Sequence, residues 1–189
     1  MNKTLIISLA VVAVVVIWLI SVNNQLVALQ ENCRASWAQV ETVLQRRFDL
    51  IPNLVNTVKG YAAHEKDILE EVTRLRSQWA GASTTPAKAQ AATELEGAIG
   101  RLLVVAEKYP DLKASENFRD LQVQLEGTEN RIAVERQRYN DALRAYNTTL
   151  RQFPGSIIAG LRGFQPNSAY FESVAAAKDA PKVDFTTKP

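Results

Sequence analysis

Two long apolar patterns of helical period meet at residues 45–55, Gln45-Arg46-Arg47-Phe48-Asp49-Leu50-Ile51-Pro52-Asn53-Leu54-Val55. Pro52 has no backbone N–H and would clash inside a helix with the carbonyl four residues earlier, so this stretch predicts a helix boundary. Asp49 is suited to cap the following helix, because its carboxylate can accept from the free N–H groups of a first turn in which Pro52 costs little. We therefore expect one helix to end near Phe48 and another to begin near Leu50.

Apolar residues on both sides of this break recur at helical spacing. The last pattern is the longest. Along it, every seventh residue is apolar or aromatic over five steps: Phe118, Leu125, Ile132, Tyr139, Tyr146 and Phe153. Together the patterns predict four helices, over residues 26–48, 50–80, 86–108 and 115–153, and their comparable lengths favour an antiparallel up-and-down four-helix bundle. In the alternative, Pro52 only kinks one continuous helix, which leaves three long helices.

Three further residues on these patterns have alternative interpretations. Cys33 lies on an apolar face without a histidine or CxxC partner, which favours a buried core residue over a reactive thiol. Glu65 breaks the apolar pattern of the second helix, so it either pairs with an arginine at the edge of that face or makes a buried polar contact that sets the register. His64, the single histidine, is expected at the surface.

The composition restricts the class of protein. The chain has 189 residues, 47% of them hydrophobic and 22% charged, which suits one domain with a core plus appendages. Its net charge of +2 lies far from the strongly basic balance of a nucleic-acid-binding protein, so no nucleic-acid partner is expected. Glycine and proline are sparse before Pro154, and no alternating β-branched run follows residue 25, so the sequence predicts an all-α protein.

An almost unbroken apolar run extends from Leu5 to Val22 and is long enough to cross most of a bilayer as a helix. A cleaved signal peptide is the competing interpretation, but the run is long for one and no small-residue cleavage motif follows it. We expect a transmembrane anchor over residues 1–25, a helical domain over residues 26–153 and a tail over residues 154–189. Lys3 on the short flank, with no cation on the other flank before Arg34, favours a cytoplasmic N-terminus and a domain on the extracytoplasmic side of the inner membrane.

The central stretch also resembles the signature of the LemA family of bacterial membrane proteins. The likeness continues through Thr57-Val58-Lys59-Gly60-Tyr61 and His64-Glu65. It reappears at Phe153-Pro154, Gly163-Phe164, Tyr170-Phe171-Glu172 and Pro181-Lys182-Val183-Asp184-Phe185, so that it covers roughly residues 26–185. The resemblance implies an N-terminal anchor and a helical bundle, and it implies no particular activity, cofactor or catalytic residue.

The sequence contains no recognisable catalytic or metal-binding motif. A di-iron bundle needs Glu-x-x-His pairs on two helices and a Cys/His zinc site needs several such ligands, whereas this chain has one histidine and one cysteine. We therefore expect no catalytic, metal or cofactor residues. The densest polar group on the central stretch, Arg46, Arg47 and Asp49, is either a solvated helix end or a docking patch for a partner at the membrane-distal tip.

The segment after Phe153 is apolar but too short to span a membrane. Its apolar residues are Ile157, Ile158, Leu161 and Phe164, and in an up-and-down bundle they lie at the membrane side. Three interpretations stay open, which are packing against the bundle, contact with the lipid interface, and docking of a partner or a second copy. Residues 174–180 and 182–189 have the composition of a loosely ordered tail, with Phe185 as its expected anchor point.

These features predict a non-enzymatic, single-pass scaffold or adaptor of the bacterial cell envelope that acts through protein contacts or self-assembly. The alternative is an extracytoplasmic sensor bundle that signals through a partner protein, because so short a segment before the anchor contains no output domain.

Overall fold

The computed structural model describes residues 2–171, which form seven helices and no strand. The helices are α1 Lys3–Phe48, α2 Ile51–Tyr61, α3 Lys66–Gly81, α4 Thr85–Ala106, α5 Pro110–Ala114, α6 Glu116–Arg151 and α7 Gly155–Arg162. The predicted all-α class is confirmed. The tail over residues 174–189, with Phe185, lies outside the described residues.

Helix α1 joins the apolar N-terminal run to the domain without interruption. It has 46 residues and is therefore about 69 Å long at 1.5 Å per residue. Its apolar window has the length and composition of a membrane span, and only 6% of that window is buried in the protein. The predicted boundary at residue 25 lies inside α1, so the apolar run and the domain share one helix.

The helix boundary before Pro52 is confirmed, but the chain does not reverse there, as expected in the alternative in which Pro52 only kinks one helix. Asp49 and Leu50 keep right-handed helical dihedral angles, with φ of −70° and −79°. Helices α1 and α2 both lie along α6, so α2 continues the course of α1. The predicted capping role of Asp49 is wrong: Leu50 is the N-cap residue of α2, and it makes no side-chain capping bond.

The chain reverses between Ala62 and Glu65. The φ and ψ angles of these two residues, −125° and 51° for Ala62 and −87° and 47° for Glu65, lie outside the helical region. The prediction of one helix over residues 50–80 is therefore wrong, because α2 and α3 divide that range. Glu65 accepts a hydrogen bond from the Tyr109 hydroxyl at 3.0 Å and is half-buried, so it makes a polar contact and pairs with no arginine in the described residues.

The most extensive helix contacts are between α1 and α6 and between α3 and α4. Helices α1 and α6 are antiparallel, because Trp18 packs on Phe153 while Trp37 packs on Tyr139. The predicted apolar face of α6 is buried from Phe118 to Tyr146, and the predicted burial of Cys33 is also confirmed. Phe153, in contrast, is 72% exposed. The up-and-down bundle topology stays a prediction, since the contacts are concentrated in these two pairs.

Candidate interaction surfaces

The predicted patch at residues 46–49 is divided by the direction of its side chains. Arg47 is buried, and its Nη1 lies 3.1 Å from the carbonyl oxygen of Leu125 and 2.5 Å from a carboxylate oxygen of Glu129. Arg46 and Asp49 are exposed. Arg47 therefore links α1 to α6, and only Arg46 and Asp49 are accessible to a partner. Because α2 extends beyond them, these residues lie along the rod formed by α1 and α2, not at its tip.

A second arginine satisfies the carbonyl group that Pro52 leaves without a donor. In a continuous helix the Phe48 oxygen would accept from the N–H of residue 52, which proline lacks. Instead, Nε of Arg76 on α3 donates to the Phe48 oxygen at 3.1 Å. Asp49 lies 3.9 Å from the same guanidinium group and accepts from the Gln45 side chain at 2.6 Å. The junction of α1 and α2 is thus stabilised by α3.

Arg47 is part of a cluster of four charged residues between α1, α4 and α6, which we call the charge cluster: Arg47, Glu96, Glu129 and Arg136. Arg136 pairs with Glu96 at 2.8 Å, and both side chains are largely buried. Burial raises the pKa of Glu96, and nearby Glu129 raises it further, whereas Arg136 and Arg47 oppose the shift. The net upward shift means that burial of the Glu96 carboxylate outweighs the attraction of the two arginines.

A groove with a volume of about 620 Å³ lies between α2 and α3, near the membrane-distal end. Its apolar part is formed by Val55, Ala63 and Leu69. Its charged residues are Lys59, Lys66, Arg74 and Glu70, and all four are exposed. With three cations and one carboxylate around an apolar floor, the groove is complementary to an apolar surface that carries acidic residues.

The chain after α7 forms an extended segment, residues 165–171, which we call the strap. Asn147 binds the backbone of Asn167 in both directions, since its Nδ2 donates to the carbonyl at 2.6 Å and its Oδ1 accepts from the N–H at 3.0 Å. Asn140 makes the same two bonds with Phe171, at 2.8 and 3.0 Å. The strap therefore lies along α6 and leads away from the membrane end.

The end of the strap packs into an aromatic cluster. The Phe171 ring stacks on Trp37 at 5.8 Å and meets Tyr139 edge-on at 5.9 Å. The Arg136 guanidinium lies over the same ring, 4.5 Å from its centroid. Because Arg136 also pairs with Glu96, the strap is connected to the charge cluster.

A cleft of about 580 Å³ opens beside the strap, between α1, the start of α4 and α6. Its walls include Cys33, Arg34, Tyr139 and Tyr146. Burial raises the pKa of the Cys33 thiol and that of the Tyr146 hydroxyl, and it raises the pKa of Tyr139 to about 12. These groups stay protonated at neutral pH, so Cys33 lacks the thiolate that a nucleophile needs.

Helix α7 packs against α1 and α6 and exposes one apolar face. Of the predicted tail residues, Ile158 is buried and Phe164 packs against the core, whereas Ile157 is 50% exposed and Leu161 is 77% exposed. Gly155 permits the close approach to α6, because a Cβ there would overlap the Thr149 carbonyl. The predicted segment thus packs on the domain by one side and leaves the other side open.

The described residues contain no group of three or more His, Cys, Asp or Glu side chains arranged to hold a metal ion. The contacts of the α6 asparagines with the strap were not predicted, because the sequence does not show which backbone groups a polar residue on a helix surface will bind. The seven-residue spacing of Asn140 and Asn147 is their one visible pattern.

Comparisons with known proteins identify relatives over most of the chain. A family model described as the LemA family matches residues 36–185. Magnetosome protein MamQ 2 of Paramagnetospirillum magneticum is 26% identical, over 93% of this chain and 74% of the relative. Magnetosome protein MamQ of Magnetospirillum gryphiswaldense is 24% identical, over 80% of this chain and 65% of the relative. Protein LemA of Metamycoplasma hominis is 22% identical, over 87% of this chain and 74% of the relative.

Proposed function

The chain belongs to the LemA family, and from this membership we propose that it is a single-pass, membrane-anchored scaffold without enzymatic activity. The observation that carries the proposal is the continuity of α1 from the apolar run into the core of the domain. A flexible linker would let the domain rotate freely, whereas a continuous helix holds it at a defined angle to the membrane. From Val22 to Tyr61 the helices α1 and α2 extend about 58 Å at 1.5 Å per residue, so the scaffold presents its tip far from the lipid.

In this proposal, the anchor lies in the inner membrane with a cytoplasmic N-terminus. Lys3 supports this orientation, because the flank beyond Val22 has no cation before Arg34. The domain then stands on the extracytoplasmic side. Fusions of a periplasm-dependent reporter after residue 171 test the orientation. An active reporter is expected. An inactive one, together with activity of a cytoplasm-dependent reporter fused at the same position, would reverse the orientation.

The scaffold holds its protein partner in the groove between α2 and α3. The charge of the groove favours a partner segment that is apolar on one face and acidic at its edges. Arg46 and Asp49 lie on the neighbouring part of the rod and contribute a secondary contact. Such a protein segment accounts for both the apolar floor and the cations of the groove. Lipid is not the occupant, because at 1.5 Å per residue along α1 and α2 the groove lies about 50 Å from the bilayer.

The test places a photo-crosslinking amino acid at Ser77, which is exposed beside the groove, in intact membranes of the native host. Reversing the charge of the three groove cations should abolish the crosslinked species. The triple variant is Lys59→Glu, Lys66→Glu and Arg74→Glu. A matched control reverses three exposed cations outside the groove (Lys108→Glu, Arg119→Glu and Arg131→Glu), and it should retain the crosslink at the same net charge.

Mass spectrometry then identifies the crosslinked protein. Equal crosslinking by the two triple variants, or equal loss in both, would contradict the groove as a docking site. Recovery of this chain alone would replace the separate partner with self-assembly and leave the scaffold role in place.

A sensor bundle is the second candidate, and the cleft beside Cys33 favours it. The cleft has the volume of a small-molecule site and borders α1, so a ligand there would touch the helix that continues towards the membrane. Narrowing the cleft with Cys33→Trp should abolish any ligand-dependent shift in melting temperature across a metabolite panel. If no compound shifts the melting temperature of the unmodified chain, the sensor candidate is rejected.

A further inference from the structure

The exposed apolar face of α7 lies at the level of the membrane-spanning part of α1. Trp18 belongs to that part and is four residues from its end at Val22, which corresponds to about 6 Å at 1.5 Å per residue. The ring of Phe153, directly before α7, packs on Trp18 with 5.9 Å between the ring centroids. The start of α7 is therefore fixed below the surface from which α1 emerges.

The other end of α7 is held near the same surface. After α7, the carbonyl of Gln165 accepts a hydrogen bond from the Tyr146 hydroxyl at 3.1 Å. Tyr146 is seven residues from Phe153, or about 10 Å along α6. Helix α7 is thus confined to the membrane end of the α1 and α6 pair, within about 10 Å of the level of Phe153.

The side chains of α7 divide as they would at such a surface. Ile158 and Ala159 face the core, whereas the open side exposes Phe153, Ile157 and Leu161. This open side is apolar although it lies away from the protein, and it is continuous with the exposed apolar surface of α1. Exposing this contiguous apolar surface of α7 and α1 to water would be unfavourable.

Cations stand at both ends of this face. Arg151 closes α6 and Arg162 closes α7, and both are exposed. Exposed arginines at the ends of an apolar face match the composition of interfacial helices, in which cations meet lipid phosphates while the apolar side chains enter the acyl region.

We infer that α7 is a second membrane contact, an interfacial helix that inserts Phe153, Ile157 and Leu161 into the leaflet beside α1, with Arg151 and Arg162 at anionic headgroups. The single continuous span of α1 sets the angle of the domain to the membrane but leaves the domain free to rotate about the α1 axis. A second contact at the base of α6 removes that freedom and orients the distal groove. The inference rests on the membrane anchoring of α1 and is independent of the protein partner.

The experiment measures the depth of nitroxide labels in the full chain, reconstituted as one copy per nanodisc of phosphatidylcholine and phosphatidylglycerol. Each label is placed on a single cysteine in a Cys33→Ala background. Leu161→Cys is the test site, and Val14→Cys in the apolar run is the lipid reference. Val123→Cys is the water reference, because Val123 is also a largely exposed apolar residue, 67% exposed, and lies on α6 near the distal end.

Collision rates with oxygen, which concentrates in lipid, and with a water-soluble nickel chelate are compared. A ratio of oxygen to nickel collisions at Leu161 several-fold above that at Val123 supports the interfacial helix. A ratio equal to that at Val123 overturns it, and so does shielding of Leu161 from both reagents, which would mean that protein covers the face. A water-like ratio at Val14 would reject the anchor itself, which separates failure of the proposed function from failure of this inference.

Discussion

Replacing Arg47 with alanine should strongly destabilise the folded protein, whereas replacing its neighbour Arg46 should not. The two side chains have the same charge and adjacent positions, but Arg47 is 6% exposed and Arg46 is open to solvent. The hydrogen bond from the Arg47 guanidinium to the Leu125 carbonyl is charge-assisted and contributes about 1.5 to 3 kcal/mol. The pair with Glu129 adds at most about 1 kcal/mol, because that carboxylate is 54% exposed.

Burial of the Arg47 stem adds to these interactions, since Arg47→Ala removes two methylene groups, Cγ and Cδ, at about 0.8 kcal/mol each, or roughly 1.6 kcal/mol. We expect Arg47→Ala to lower the free energy of unfolding by about 3 to 5 kcal/mol, and Arg46→Ala to change it by less than about 0.5 kcal/mol. Arg47→Met keeps most of the stem and loses the polar contacts, so it should fall between the two.

The assay is guanidinium unfolding of the full chain in mild detergent, followed by tryptophan fluorescence. Trp79 packs against Phe48, the residue next to Arg47, and therefore reports on this junction. The slope of the unfolding free energy against guanidinium concentration should be the same in all variants, so that a shift of the unfolding midpoint measures a change in stability. If Arg47→Ala and Arg46→Ala unfold within about 0.5 kcal/mol of each other, the buried role of Arg47 is refuted.

Three other outcomes follow from the contacts. Arg76→Ala should lower the free energy of unfolding by about 1.5 to 3 kcal/mol. The loss should be clearly smaller in a Pro52→Ala background, because alanine at position 52 restores the N–H that can donate to the Phe48 carbonyl. Equal losses in the two backgrounds would contradict the role of Arg76 as the donor that replaces this N–H. Asn147→Ala should accelerate amide hydrogen exchange at Asn167 without unfolding α6, and unchanged exchange there would mean that the strap is held by other contacts. The pKa of Glu96 is higher in the folded state than its unfolded value of 4.5, so ionisation of Glu96 destabilises the fold as the pH rises through this range. In urea titrations, the stability of Glu96→Gln relative to the unmodified chain should therefore increase with pH over the same range. A decrease would contradict the upward shift of the Glu96 pKa.

Periodicity predicted which residues share a helical face, because it is a local property, but it missed the break that divides residues 50–80 into α2 and α3. The end of α1 at Phe48, the long α6 and the burial of Cys33 follow from which residues share one helical face. The same reasoning failed at Phe153, which continues the seven-residue spacing but lies beyond the last turn of α6 and contacts Trp18. Periodicity identifies a face, but it does not show where the neighbouring helix stops.

The interaction surfaces were less predictable, because they combine distant segments. Arg46, Arg47 and Asp49 look alike in sequence as a polar helix end, and only the position of α6 makes Arg47 a buried residue. For α7, the four apolar residues identified an amphipathic segment, whereas the division into buried Ile158 and exposed Leu161 depends on how α7 crosses the α1 and α6 pair.

The amino-acid sequence by itself determined the all-α class, the apolar run that begins α1, the helix break before Pro52 and the family membership, since each depends on residue type and short-range spacing. Tertiary structure decided the direction of the chain at that break. The course of α2 continues along α1, where Arg76 of α3 donates to the Phe48 carbonyl that Pro52 leaves without a partner, and the reversal occurs instead at Ala62 to Glu65. A proline removes one hydrogen bond and marks a helix boundary, but the direction of the chain beyond it depends on how the following segment packs against the rest of the fold.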